Sequence, residues 1–154
     1  MIQTWFNTPE KIAALGVSSR SWLGTPFFRA SSTKGQGVDC SHLVAAIYRE
    51  VEFRDIQVPD FNITSPKLLS RSVAVPFISG LTCFAEITTE KIETGDRYGH
   101  PGDLLGIRVG RVVHHLGILV DWTMFIHVTN KVTFNSILDA TWASRLSRVW
   151  RPQP

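Results

Sequence analysis

Cysteine is scarce in this chain: its 154 residues include two, Cys40 and Cys83. Secreted scaffolds stapled by disulfides carry several bridges in shorter chains, so both thiols are expected to be reduced. No stretch of about 18 apolar residues occurs, which excludes a bilayer-spanning helix. Blocks of Lys or Arg are also missing. The net charge of +3 and the pI near 9.1 are spread thinly along the chain, so no nucleic acid is expected as a partner. The opening residues, MIQTWFNTPEKIAALG, have no basic start followed by an apolar run, and no secretory signal is expected.

What is present is the material of a core. A hydrophobic content of 44% with 19% charged residues and a mean hydropathy of +0.04 is that of an ordinary globular protein. At this length one domain spanning residues 1–154 is expected, and it can bury about two-thirds of the surface an unfolded chain exposes.

Thr8-Pro9-Glu10 has the chemistry of a helix start: a hydroxyl cap, a proline at the first position and an acid at the positive end of the dipole. The helix is expected to bury Ile12, Leu15 and Trp22 and to stop at Gly24-Thr25-Pro26. Residues 29–37, RASSTKGQG, read as an exposed loop. Leu43, Val44, Ile47, Tyr48 and Val51 then recur at helical period, with Asp39 placed to cap the first turn. From Arg54 to Gly99 the pattern is irregular, interrupted by Pro59, Pro66 and Pro76, and gives no assignment. After the turn signature Pro101-Gly102-Asp103 come Leu104–Val109, Val112–Val120 and Met124–Val128, rich in β-branched residues and separated by Gly110-Arg111 and Asp121-Trp122-Thr123. They predict an antiparallel meander. The tail predicts a short helix near Asp139–Leu146 and a final extended piece.

Chemistry has few places to sit. Cys40 falls in the first turn of the second helix, where unpaired N–H groups and the dipole favour an anion and are expected to lower the thiol pKa. The alternative is a small buried side chain, as free cysteines often are. A thiol nucleophile needs a base, and five histidines are available. If Asp121-Trp122-Thr123 turns the chain, His115 and His127 stand nearly opposite each other on neighbouring strands, about 5 Å apart at their Cβ atoms. One imidazole can then take the thiol proton while the other orients it. The pleat is expected to send His114 to the other face, so only one of the adjacent pair can meet Cys40. Cys40, His115 and His127 could instead hold zinc, but the close-spaced ligand pairs of zinc sites are missing, and no metal or cofactor is expected. His42 and His100 read as surface or loop residues, and Cys83 as packing.

The segments WLGTPF (Trp22–Phe27), GVDCS (Gly37–Ser41), PGDLL (Pro101–Leu105), HLGI (His115–Ile118) and FIHV (Phe125–Val128) occur in the order seen in the NlpC family of cell-wall cysteine peptidases, which the chain resembles. Its phage and prophage branch is similar in two further features, Lys34-Gly35-Gln36-Gly37 before the cysteine and the tail Trp142-Ala143-Ser144-Arg145-Leu146. The resemblance covers both ends and hardly touches Asp55–Gly99. It implies an α+β, papain-like fold, with N-terminal helices and the cysteine at a helix N-terminus packed on an antiparallel sheet. By the same resemblance Cys40 is the nucleophile, His115 the base and His127 the orienting group, and the spacing to Gly117 selects His115 over His114.

The substrate so implied is a peptidoglycan stem peptide, cut between D-glutamate and a diamino acid. Asp39 and Ser41 match positions that help hold the free amine of the stem's first residue. Phe27 stands where the family has a tyrosine whose hydroxyl reaches the substrate, and His42 replaces the usual glycine of DCSG, so recognition is expected to differ. The expectation keeps Asp39 as partner of that amine. Phage tail proteins are implied as partners, in keeping with a chain read as ending without a wall-binding domain. Its location is then a virion, or the cytoplasm before assembly. The competing functions are a structural tail component and an acyltransferase or amidase of the same superfamily.

Overall fold

The computed structural model describes residues 3–59, 74–87 and 98–154. Of the three prolines in the unassigned stretch, Pro66 lies outside the described residues. The first helix, α1 (Pro9–Trp22), begins as expected: the Thr8 hydroxyl accepts from the Lys11 N–H at 3.2 Å, and Pro9 stands where a missing N–H costs nothing. Leu15 and Trp22 are buried. The polar run that follows is more ordered than a loop. It folds into a small hairpin, β1 (Ser32–Thr33) with β2 (Gly37–Val38), turned at Gly35 with φ +82°.

The second helix, α2 (Cys40–Glu50), carries the predicted stripe. Leu43, Val44, Ile47 and Tyr48 are buried along it, and Val51 follows at its end. Of the stretch that gave no assignment, α3 (Ala74–Ser79) and β3 (Phe84–Ile87) are described. The meander is present as β4 (Leu104–Val109), β5 (Val112–Leu119) and β6 (Met124–Val128). Asp121 turns the chain between the last two, its Oδ1 accepting from the N–H groups of Thr123 at 2.8 Å and Met124 at 2.7 Å. A further strand, β7 (Val132–Ser136), extends it. The tail helix is shorter than expected: α4 spans Ala140–Ala143, and β8 (Leu146–Pro152) takes the rest.

The described strands β3 to β8 make one antiparallel sheet in the order β3-β8-β4-β5-β6-β7. The C-terminal strand thus sits inside the sheet, which Gly106 permits: a Cβ there would lie 2.8 Å from the Trp150 ring. A buried ion pair, Arg151 Nη2 to Asp103 Oδ2 at 2.9 Å, ties β8 to the turn before β4. Successive residues alternate between faces. Leu104, Leu116, Ile118 and Ile126 join α2 in the main core, while Leu105, Ile107, Leu119 and Phe125 form a smaller core with Ile137 and Val149. The helix that begins at Cys40 therefore packs on the antiparallel sheet that carries His115 and His127, which is the α+β arrangement expected.

Candidate functional site

A cleft of about 610 Å³ lies over the N-terminus of α2, and Cys40, His115, Asp39, Ser41 and Phe27 all line it. His127 is fully buried behind His115. The helix places Cys40 there because Asp39 caps it, its Oδ1 accepting from the His42 N–H at 2.9 Å.

The β5–β6 ladder covers Ile118↔Ile126 and Leu119↔Phe125. Continued by one step, that register puts His127 opposite Gly117 rather than His115. The expected face-to-face pair is therefore a diagonal one. Gly117 makes the diagonal possible, since a Cβ there would lie 3.4 Å from that of His127 and 2.9 Å from the Ile126 carbonyl. The two rings meet at 5.0 Å between centroids, and His115 Nε2 lies 2.7 Å from His127 Nδ1.

The strict alternation expected of His114 and His115 does not hold. Ile107 pairs with His115, but Arg108 pairs with Val113, so His114 is the extra residue of a β-bulge. His114 lines the cleft too. Its carbonyl accepts from the Cys40 Sγ at 3.9 Å.

Asn135, on β7 beyond the predicted meander, completes a chain of bonds. Its Oδ1 lies 2.7 Å from His127 Nε2. An amide oxygen only accepts, so His127 Nε2 carries the proton. A neutral His127 then has a bare Nδ1, which accepts from His115 Nε2. A neutral His115 in turn has a bare Nδ1. That atom takes part in no hydrogen bond among the described residues, so it can accept a proton inside the cleft. Trp142 stands edge-on to His127 at 4.7 Å and closes the far side of the pair.

Both imidazoles are held neutral. Burial, then the neighbouring His127, lowers the His115 pKa to about 3. Burial lowers that of His127, against the pull of Asn135. The thiol departs from expectation. Burial pushes the Cys40 pKa up to about 11, the Asp39 charge adds to the rise, and the N–H groups of Leu116, Ser41 and Cys40 offset it in part. The helix N-terminus is present, but desolvation outweighs it.

His42 is not the surface residue expected. Its Nδ1 lies 2.7 Å from Asp39 Oδ1 and it lines the cleft. His100 packs against Trp122 at 5.0 Å, with Nδ1 2.9 Å from the Pro101 carbonyl. Phe27 is 49% exposed at the cleft rim. Cys83 packs at the edge of the main core, as expected. Among the described residues no three His, Cys, Asp or Glu side chains are grouped as metal ligands.

A sequence model of the NlpC/P60 family matches residues 24–151. No curated protein sequence matches. Among solved structures, the chain is similar to a lipoprotein-like NLP/P60 family protein of Staphylococcus aureus Mu50 at 18% identity and a TM-score of 0.66, covering 96% of this chain and 43% of that one. It is also similar to the NlpC/p60 domain of the peptidoglycan hydrolase SagA, at 20% identity and a TM-score of 0.59, covering 90% and 96%. NlpC2 of Trichomonas vaginalis aligns at 18% identity with a TM-score of 0.63, covering 99% and 51%. The chain thus spans about half or less of the staphylococcal and Trichomonas proteins. At these identities the likeness is one of fold.

Proposed function

The chain belongs to the NlpC/P60 family, and on that premise we propose that it is a cysteine peptidase of peptidoglycan stem peptides, with Cys40 as nucleophile, His115 as base and His127 as orienting residue. The observation that carries the reading is the hydrogen-bond chain from Asn135 through His127, which leaves His115 Nδ1 bare in the cleft that Cys40 shares. Cys40 Sγ attacks the amide carbonyl carbon as its proton passes to His115 Nδ1. The oxyanion forms beside the Cys40 N–H at the start of α2. His115 returns the proton to the leaving nitrogen, a thioester remains, and water attacking the thioester releases the acid and restores the thiol.

In this reading Phe27, Asp39 and Ser41 form the recognition wall, and the bond cut joins D-glutamate to a diamino acid. Lys34–Gly37 and Trp142–Leu146 support assignment to the phage and prophage branch, with tail proteins as partners. The test is digestion of purified peptidoglycan and of free stem peptides by wild type and Cys40→Ala, followed by mass spectrometry. A new amine on the diamino acid, absent with Cys40→Ala, is expected. Equal product from both proteins would sink the proposal, and release of acid from a lipid ester in its place would favour an acyltransferase or amidase.

A further inference from the structure

Asp39 is a carboxylate next to the proposed nucleophile in an open cleft, and such a group ordinarily attracts a substrate cation. In this chain one of its two oxygens is already taken. Residues three apart on a helix are neighbours, and His42, three places beyond the cap, turns its ring back onto it. Asp39 Oδ1 accepts from the His42 N–H at 2.9 Å, lies 2.7 Å from His42 Nδ1 and is reached by the Ser41 hydroxyl at 3.3 Å. Asp39 Oδ2 accepts from the Ala30 N–H at 2.8 Å. Each carboxylate oxygen offers roughly two lone-pair sites, so the three contacts crowd Oδ1, and Oδ2 keeps one site beside the Ala30 N–H. Phe27, Val58, Val109 and Val128 add apolar wall to the same cleft, and Arg29 adds a positive charge.

An ammonium brought into this cleft would give up water for a carboxylate whose Oδ1 is taken and whose Oδ2 has one site left, which is an expensive way to place a charge. An acylated nitrogen brings no charge to lose. We propose that His42 is a specificity-determining residue: by occupying Asp39 Oδ1 it makes the cleft favour a substrate whose nitrogen beside the start of α2 is acylated and uncharged over one with a free ammonium there. The inference rests on the peptidase reading and makes it narrower. The substrate class becomes the interior of a peptide or a stem still joined to the wall, not a released peptide with its amine exposed.

The probes are a stem tetrapeptide with a free first amine and the same peptide acetylated, each assayed for kcat/KM. Wild type is expected to favour the acetylated peptide by at least about tenfold. His42→Ala, which takes the ring off Asp39 Oδ1 and leaves the backbone N–H and the weaker Ser41 contact, should shift that ratio toward the free amine by about tenfold or more. His42→Gln, whose amide can still donate to Asp39, should keep the wild-type ratio and guards against a loss caused by misfolding. A wild type that prefers the free amine, or a His42→Ala ratio within about threefold of wild type, overturns the inference while leaving the peptidase reading in place. If wild type cuts neither peptide nor purified peptidoglycan although Cys40 is still alkylated, the peptidase reading falls and the inference falls with it.

Discussion

Gly117 stands across the β5–β6 ladder from His127, with no side chain to fill the space between them. The vacancy lets His115, two residues earlier on the same strand, reach His127 along the diagonal. Gly117→Ala would press a methyl onto the Ile126 carbonyl at 2.9 Å and the Phe125 ring at 3.0 Å. Backbone cannot give way as a flexible side chain can. The variant is expected to lose about 1–3 kcal/mol of stability, as overpacked sites do, and to lose turnover beyond that because the histidine bond is wedged open. Urea unfolding and stem-peptide cleavage measure the two separately; wild-type values for both would show that the glycine serves no steric purpose.

Asn135 is expected to act as a positioning residue, through proton placement rather than contact with substrate. Without its oxygen, His127 is free to carry its proton on Nδ1 and donate it to His115 Nε2, which puts a proton on His115 Nδ1 where the thiol needs an acceptor. Asn135→Ala should reduce kcat by about 10–100-fold with little change in KM, the usual scale for a partner that orients a working imidazole. Asn135→Asp keeps the acceptor and should restore most of kcat. It should also move the acid limb of the pH profile upward, since a carboxylate favours the protonated imidazoles. A fall in KM affinity alone, or no rescue by Asp, would assign Asn135 to packing.

The parts of this site that lie on one strong local pattern were legible in the sequence. Asp39 and Cys40 head a helix with an unbroken apolar stripe, and the β-branched runs around His115 and His127 leave little choice but strands. The parts that depend on register were not. One extra residue at His114 undoes the pleat argument, and the step that sets His127 against Gly117 depends on where the Asp121 turn closes. Asn135 was available in principle. Thr133 and Asn135 alternate with Val132 and Phe134 at a strand period after Asn130 and Lys131, which would have set Asn135 on the same face as Thr133, the register partner of His127. His42 was named for its difference from glycine, but that its ring folds back onto Asp39 is a matter of rotamer, which no pattern carries. The thiol pKa failed for a different reason: the dipole is a local feature, whereas burial belongs to the whole fold.

Burial of neutral histidines makes stability depend on acid. Below pH 6.5 the unfolded chain takes up a proton on His115, while the folded chain does not until about pH 3. The unfolded state therefore binds more protons across that window, and stability falls as pH falls. The slope for one such group rises from about half of 1.4 kcal/mol per pH unit at pH 6.5 toward the full value below it, so the step from pH 6.5 to 5 should cost about 1.6 kcal/mol, with His127 adding to it in the same direction. Urea unfolding at pH 6.5 and pH 5 of wild type and His115→Gln is the comparison. The variant should lose less over that step, whatever its starting stability. Identical losses would mean that His115 takes up its proton in the folded chain as readily as in the unfolded one.

The resting state of the thiol separates two ways of running this chemistry. A preformed thiolate–imidazolium pair would need Cys40 to ionise below the pKa at which His115 loses its proton. The structure has the reverse order, with Cys40 at about 11 and His115 at about 3, so both are neutral near pH 7. The thiolate fraction of Cys40 at pH 7 is then on the order of one in ten thousand. Alkylation of Cys40 by iodoacetamide should accordingly be slow at neutral pH and rise about tenfold per unit from pH 7 to 10, since the reagent reacts with the thiolate and its rate follows the thiolate fraction. Turnover of a peptide should not follow that slope, because His115 removes the proton only as the carbon–sulfur bond forms. His115→Ala should abolish most turnover and leave the alkylation slope in place. The measurement is a pH–rate profile for carbamidomethylation, with Cys40 and Cys83 resolved by peptide mapping. A plateau in Cys40 labelling between about pH 5 and 8, lost in His115→Ala, would establish a resting ion pair and overturn the neutral-pair mechanism.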